Sequence, residues 1–150
     1  MRIQSLLYAM LNPLMRGLLR SPMHGVVSGS IGLLCYRGRR SGREFVTPLS
    51  YSRDGTLVRF LSSHKTRWWL NFRAGPTPVQ VEIAGEVRSG VARLWQEDSE
   101  HLREGVRLFL TAVPRDAMVY GMKLDADRKP READLAKAGD HVILVEVEFD

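Results

Sequence analysis

The sequence predicts an α+β protein in which an antiparallel sheet curls into a small barrel. From residue 30 onward, apolar residues alternate with polar ones over several short runs, which is typical of strands with one buried face. Turn signals such as Asp54-Gly55 separate neighbouring runs, so the strands are expected to follow one another in hairpin order. Apolar residues at helical spacing occur at the start of the chain and again after residue 98, which adds helices to the sheet.

Length and composition fit one domain. The chain has 150 residues, of which 44% are hydrophobic and 26% are charged, values that are ordinary for a soluble globular protein. We expect a helical segment at residues 1–29 and a barrel at residues 30–150 within that domain. No apolar run is long enough for a transmembrane helix, and no signal peptide is recognisable. The single cysteine, Cys35, lies in an apolar run without a disulfide partner, which favours burial and a reducing cytoplasm.

The N-terminal segment carries an apolar stripe at helical spacing over residues 3–18. Asn12-Pro13 and Ser21-Pro22 are each typical of a helix cap followed by proline in the first turn, so two or three short helices are expected up to about Val27. The stripe can pack on the protein's own sheet. Alternatively, this basic segment can lie weakly on an anionic membrane surface, peripheral to the inner face of the membrane.

Six strands are expected after the helical segment. Asp54-Gly55 and the glycine at position 85 are predicted to form the turns of two hairpins. The predicted strands are residues 30–36, 45–51, 57–61, 79–83, 87–95 and 142–149.

Three further helices are expected between the strands. Thr66 can cap a short helix that ends near Ala74, where Gly75 and Pro76 follow. Asp98 can cap a helix with an apolar stripe toward the sheet. A short helix is also expected over residues 131–138, within an otherwise polar and broken segment.

Positive charge is concentrated in the first third of the chain. The net charge is +5, and residues 1–43 contain seven arginines and no acidic residue, the first being Glu44. Such a field suits an anionic small molecule, an anionic membrane surface or nucleic acid. Nucleic acid is the weakest of these, because two of the three tryptophans lie side by side on one predicted helix rather than along strands.

The turn between the first two strands is the main candidate site. Guanidinium and backbone N–H groups in a glycine-punctuated turn can converge on a phosphate or a carboxylate. Ser41 adds a hydroxyl group, and Gly42 lets the backbone approach an anion closely. The alternative is a solvated hairpin tip. Four arginines lie within the seven residues of this turn: Arg37, Arg39, Arg40 and Arg43.

A second group of candidate residues lies around the predicted helix after Thr66. Trp68 and Phe72 are four residues apart and share one side of a helix, where Asn71 can offer an amide to a ring edge. The indoles either pack in the core or form a wall for a planar heterocycle. Ser62 and Ser63 precede the helix start, a place where hydroxyl and N–H groups bind phosphate. The four histidines are far apart in sequence, so no metal site is expected.

These motifs, in this order and spacing, resemble the deazaflavin-dependent nitroreductase / quinone reductase family. The resemblance spans roughly residues 30–95, and the Asn12-Pro13 and Ser21-Pro22 region is similar to one branch of the same family. It implies a split β-barrel of the flavin-reductase-like type, with N-terminal helices and one or two more. The residues that carry it are Gly38-Arg39-Arg40-Ser41-Gly42, Val46-Thr47-Pro48-Leu49, Asp54-Gly55, and Trp68 with Asn71-Phe72-Arg73-Ala74 before Pro76.

The resemblance also implies a cofactor and its binding residues. The cofactor is the deazaflavin coenzyme F-420, with flavin mononucleotide (FMN) as the alternative. Its phosphate and oligoglutamate tail would be held by Arg39, Arg40, Ser41 and Gly42. The tricyclic ring would lie along Thr47, Pro48 and Leu49, beside Trp68 and Asn71.

This chain departs from the family pattern just before the turn and, on the phosphate side, at Phe45 and in a glycine-rich segment that is shortened to Ser63-His64-Lys65-Thr66-Arg67. Tyr36 and Arg37 occupy positions that are often threonines, and Phe45 occupies a position that is commonly arginine. Arg37, Arg43 and Arg67 can compensate for the lost cation. A phosphate with several carboxylates needs more cationic partners than one phosphate, which favours the deazaflavin over FMN.

The resemblance implies an oxidoreductase that transfers hydride from reduced deazaflavin to a small electron-poor acceptor. A quinone, an activated alkene and a nitroaromatic are such acceptors. Tyr51 and Tyr120 are the candidate proton donors, with water as the alternative. The other functional hypothesis is a non-catalytic barrel that stores or carries a flavin-like or fatty-acyl ligand. We allow for a homodimer.

Overall fold

The computed structural model describes residues 31–150, whose six strands close into an antiparallel barrel. The helices predicted for residues 1–29 lie outside the described residues. Around the barrel the order is β1-β2-β3-β6-β5-β4, and β4 returns to β1, so the predicted antiparallel barrel is confirmed. The strands are β1 (Ile31–Arg37), β2 (Glu44–Asp54), β3 (Leu57–Ser63), β4 (Thr77–Ile83), β5 (Glu86–Trp95) and β6 (Val142–Phe149).

Both predicted hairpin turns are present. Gly55 closes the β2–β3 turn with φ +63°, and Ala84 and Gly85 close the β4–β5 turn with φ 54° and 81°. Positive φ at both central residues is typical of tight hairpin turns. Strand β2 runs three residues beyond the predicted end, because it pairs with β3 up to Asp54 opposite Leu57.

Apolar residues at alternate positions of each strand point inward and fill the barrel. Inward residues from all six strands form one buried apolar cluster, which the 3₁₀ helix Trp68–Phe72 closes at one end. Cys35, the single cysteine of the sequence, is buried on the other face of β1. The largest fully buried side chains inside the barrel are Leu34, Phe60, Phe72 and Ile143.

Helix α1 (Glu100–Ala112) packs on the outside of the barrel. Its apolar stripe forms a second cluster with Leu61 and Leu144, whose side chains point out of β3 and β6. The predicted helix is confirmed, but its predicted cap is wrong. Ser99 has extended backbone angles and its Oγ accepts from the Leu102 N–H at 3.1 Å, whereas Asp98 lies one residue too early.

The other two predicted helices differ from their predictions. After Thr66 the chain forms only the 3₁₀ helix, because the Thr66 hydroxyl donates to the Ser63 carbonyl at 2.9 Å instead of capping a longer helix. The segment predicted as one helix over residues 131–138 is broken into α2 (Glu132–Leu135) and a 3₁₀ turn, Ala138–Asp140. Another 3₁₀ helix, Pro114–Tyr120, precedes them.

An ion network fixes α1 to the barrel wall. Glu146 projects outward from β6 and is almost fully buried beneath the helix. Its carboxylate lies 3.3 Å from Arg59 Nε on β3 and 2.6 Å from His101 Nε2 on α1. The acidic positions predicted on β6 therefore face away from the barrel core.

Barrel closure is weakest between β1 and β4. These strands pair through three residue pairs, Leu33–Cys35 against Gln80–Glu82, whereas β1 and β2 pair through seven. Beyond Cys35 the two strands diverge and open the barrel at its arginine-rich end. Among residues 31–150, no helix is long and apolar enough to cross a membrane.

We expect Gly90→Ala to destabilise the barrel more than Gly105→Ala. A Cβ at Gly90 would lie 2.5 Å from the Glu148 carbonyl oxygen, a backbone atom held by the β5–β6 ladder. A Cβ at Gly105 would meet the flexible end of the Leu144 side chain, and alanine also favours the helix. Urea denaturation should show a loss of about 1–3 kcal/mol for Gly90→Ala. Equal stability of the two variants would contradict this ranking.

Candidate functional site

The arginine turn, residues 37–43, is ordered by its own backbone. The Gly38 N–H donates to the Arg43 carbonyl at 2.7 Å, and the Gly42 N–H donates to the Gly38 carbonyl at 2.9 Å. Gly42 has φ +70°, a conformation that favours glycine. At Gly38 a Cβ would lie 2.5 Å from the Phe45 ring, so the turn packs directly on that ring.

The two adjacent tryptophans point in different directions. Trp69 is buried, and its Nε1 donates to the Ser63 carbonyl at 3.1 Å. Trp68 is half-buried; its Nε1 donates to Ser62 Oγ at 3.1 Å, and its ring meets Phe72 edge to face. Trp68 is therefore available as a wall beside the arginine turn.

Asn71 joins the arginine turn to the 3₁₀ helix. Its Oδ1 accepts from the Arg39 N–H at 2.8 Å, and its Nδ2 donates to the Trp68 carbonyl at 2.8 Å. Both ends of the amide are thus used within the protein, rather than one being offered to a ring edge. The partners Arg39 and Asn71 are 32 residues apart, and no local sequence signal reveals such a link.

A pocket of about 410 Å³ lies between the turn and this helix, and we call it the turn pocket. Among residues 31–150, no acidic side chain and no side-chain hydrogen bond engages the guanidinium groups that line the pocket, and the sequence of residues 1–30 contains no acid. This concentration of positive charge suits a ligand with several anionic groups. The polar lining consists of Arg39, Arg40, Arg67 and Ser41, and the aromatic lining consists of Tyr36, Phe45 and Trp68.

Six of the predicted cofactor residues come together in the turn pocket, and Arg37 does not. Arg37 instead lies 3.0 Å from a carboxylate oxygen of Glu44 and donates to the Gly42 carbonyl. It lines a separate cleft at the β1–β4 opening. The six that line the turn pocket are Arg39, Arg40, Ser41, Arg67, Trp68 and Asn71.

The remaining predicted cofactor residues lie around the turn pocket rather than on its surface. Thr47 reaches the hydroxyl of Tyr36 at 2.9 Å, and Leu49 packs against the barrel core. Pro48 lies between them on β2. Ser62 anchors the Trp68 indole. Gly42 shapes the turn, and Ser63 lines another cavity, beside Tyr120.

Neither predicted proton donor lines the turn pocket. Tyr51 is 8% exposed inside the barrel, and Tyr120 lies near His141 on the far side of Ser63. Burial raises the pKa of both phenols, and the nearby Asp116 charge raises that of Tyr120 further. Tyr36, which the sequence did not single out as a site residue, does line the pocket. The sequence signal that could have identified Tyr36 is its place as the last inward-facing residue of β1 before the arginine turn.

Comparison with known proteins identifies relatives. A model of the F420H(2)-dependent quinone reductase family matches residues 21–127. A solved F420-H2 dependent reductase is 21% identical, with a TM-score of 0.55 over 79% of this chain and 94% of that chain. A structure described as a domain-swapped dimer is 20% identical, with the same TM-score over 79% and 80%. These likenesses support the split-barrel fold. No curated protein matches the chain.

We expect Asn71→Ala to loosen the arginine turn while leaving the strands intact. The Arg39 amide would lose its acceptor, so its hydrogen exchange should accelerate, whereas amides of the β1–β2 ladder should not change. Asn71→Asp is the matched control, because it keeps an acceptor oxygen and loses only the donor to Trp68. Unchanged exchange at Arg39 in the alanine variant would show that the turn is ordered without Asn71.

Proposed function

The chain belongs to the F420H(2)-dependent quinone reductase family, and we propose that it reduces a small electron-poor acceptor in the turn pocket. The observation that carries this proposal is the lining of that pocket. Within residues 31–150, the three arginines that line it have no acidic partner, and three aromatic rings line it beside them. A planar ligand with an anionic tail has the complementary form.

The residues present fit the deazaflavin of this family. A phosphate and carboxylate tail needs several cations and hydroxyl donors, which Arg39, Arg40, Arg67 and Ser41 can supply. Gly42 gives the turn its left-handed backbone conformation, and Gly38 lets it pack on the Phe45 ring. Trp68 and Tyr36 provide the aromatic walls that a tricyclic ring requires.

The chain's own residues position and shield the reaction. Arg39 and Arg40 hold the anionic end by charged hydrogen bonds, and Asn71 keeps their turn at a fixed place beside Trp68. The aromatic rings exclude water from the part of the pocket where hydride transfer takes place. When bound, the cofactor supplies the hydride.

We assign a quinone as the acceptor, with nitroaromatics and activated alkenes as further members of the electron-poor class. The family description supports a quinone. The apolar lining of the turn pocket favours a flat, uncharged acceptor. An anionic acceptor would instead be held by the arginines.

We expect the protein to oxidise reduced F420 in the presence of a small benzoquinone, at a rate proportional to protein concentration. The return of the visible absorbance of oxidised deazaflavin measures it. Reduced FMN is the control, and should react more slowly because it presents fewer anionic groups to the arginines. Cofactor binding without reduction of a quinone, a nitroaromatic or an activated alkene would instead make the protein a carrier.

Replacing Arg39 and Arg40 together with alanine should weaken F420 binding without changing the melting temperature. Each charged hydrogen bond lost costs about 1.5–3 kcal/mol of binding, or roughly 10- to 150-fold in Kd. The turn is exposed and contributes little to the core. Fluorescence titration of the protein with oxidised F420 measures the change.

The matched control is Lys123→Ala with Lys129→Ala, which removes the same charge from exposed positions outside the pocket. If both double variants bind F420 equally, the effect of the arginines is only one of net charge. If the arginine variant binds like the unaltered protein, the turn is a solvated hairpin tip.

A further inference from the structure

Tyr36 lies between two cavities at the open end of the barrel. One is the turn pocket. The other, which we call the seam cleft, has a volume of about 610 Å³ and opens where β1 and β4 diverge. Of the three tyrosines in residues 31–150, Tyr51 and Tyr120 line neither cavity, whereas Tyr36 lines both.

The Tyr36 side chain is fixed from three directions. Its ring stacks on Phe45 with centroids 5.8 Å apart and meets Phe72 edge to face at 5.4 Å. Its hydroxyl bonds Thr47 Oγ1 at 2.9 Å. Only 4% of the residue is exposed, so the side chain is held in one conformation.

The phenol of Tyr36 is protonated at neutral pH. Burial raises its pKa above the ordinary value of 10.0, and the hydrogen bond with Thr47 offsets part of that rise. It therefore carries a proton to give across the physiological range, unlike a carboxylate.

The seam cleft connects Tyr36 to groups that exchange protons with water. Glu44 lines it with a side chain that is 7% exposed; one carboxylate oxygen pairs with Arg37, and the other is buried without a hydrogen-bond partner. Asp150 also lines the cleft. The charged groups around Tyr36 are thus Arg37, Glu44 and Asp150 on this side and the pocket arginines on the other.

We propose that the Tyr36 hydroxyl donates the proton that the quinone needs when it is reduced in the turn pocket. This role rests on the proposed function. The quinone gains one hydride and one proton to become a hydroquinone. The Tyr36 O–H bond breaks as an O–H bond forms on the acceptor, and the tyrosinate then takes a proton from water in the seam cleft.

Tyr36→Phe tests this role because it removes the hydroxyl and keeps the packed ring. We expect kcat for quinone reduction to fall roughly 100-fold or more, and the solvent deuterium isotope effect to change, with an unaltered Kd for F420. Tyr51→Phe and Tyr120→Phe serve as the competing variants. The Tyr36 variant should lose the most activity of the three.

A second measurement does not depend on turnover. With oxidised F420 bound, Tyr36→Phe should bind a benzoquinone roughly two- to tenfold more weakly, because one hydrogen bond to its oxygen is missing. Thr47→Val should lower kcat less than Tyr36→Phe does, and Thr47→Ser should restore it. This pair keeps the proposal testable if Tyr36→Phe does not fold.

The outcomes separate this role from the function it rests on. Unchanged kcat and quinone affinity in Tyr36→Phe, beside an active unaltered protein, would overturn the role of Tyr36 alone. A larger loss in the Tyr51 or Tyr120 variant would assign the proton to that residue. An unaltered protein that binds F420 but reduces no quinone would overturn both.

Discussion

The short pairing between β1 and β4 is the constraint on which the rest of the structure depends. Three residue pairs close the barrel, and past Cys35 the strands separate. A barrel closed along its full length would have continuous hydrogen bonding at this end and no cavity. Because closure stops early, Tyr36 and the arginine turn stand at an opening instead of on a sealed wall. The arrangement keeps a stable core and yields two adjacent cavities.

Electrostatics reinforces this division of the molecule. The first acidic residue of the sequence, Glu44, comes directly after the seven arginines of residues 1–43, and it pairs with Arg37 at the edge of the turn. The next arginines of the turn, Arg39 and Arg40, have no acidic partner in the part of the chain that the structure describes. On the opposite side, Glu146 lies beneath α1 within ion-pair distance of Arg59 and hydrogen-bond distance of His101. Charges are therefore paired where they secure packing and unpaired where a ligand can reach them.

Much of the fold could be predicted from the sequence, because strand period and glycine turns are local signals. The arginine turn was also predictable, since its residues are contiguous. The helix caps at Thr66 and Asp98 were wrong, because several neighbouring hydroxyl and carboxylate groups compete for the same free N–H groups. Asn71 and Tyr36 could be placed only by the structure, since their partners Arg39 and Thr47 come near through barrel closure.

The two hydrogen bonds of Asn71 join the arginine turn to the 3₁₀ helix, so the cationic and aromatic groups of the pocket form one rigid receptor. A ligand that contacts both the cationic and the aromatic groups loses its translational and rotational freedom once, whereas two separate ligands, one for each kind of group, would lose it twice. The pocket therefore discriminates between ligands by their length as much as by their chemistry. We expect a phosphate or an isolated aromatic compound, which contacts only one kind of group, to bind the pocket more weakly than a ligand that contacts both.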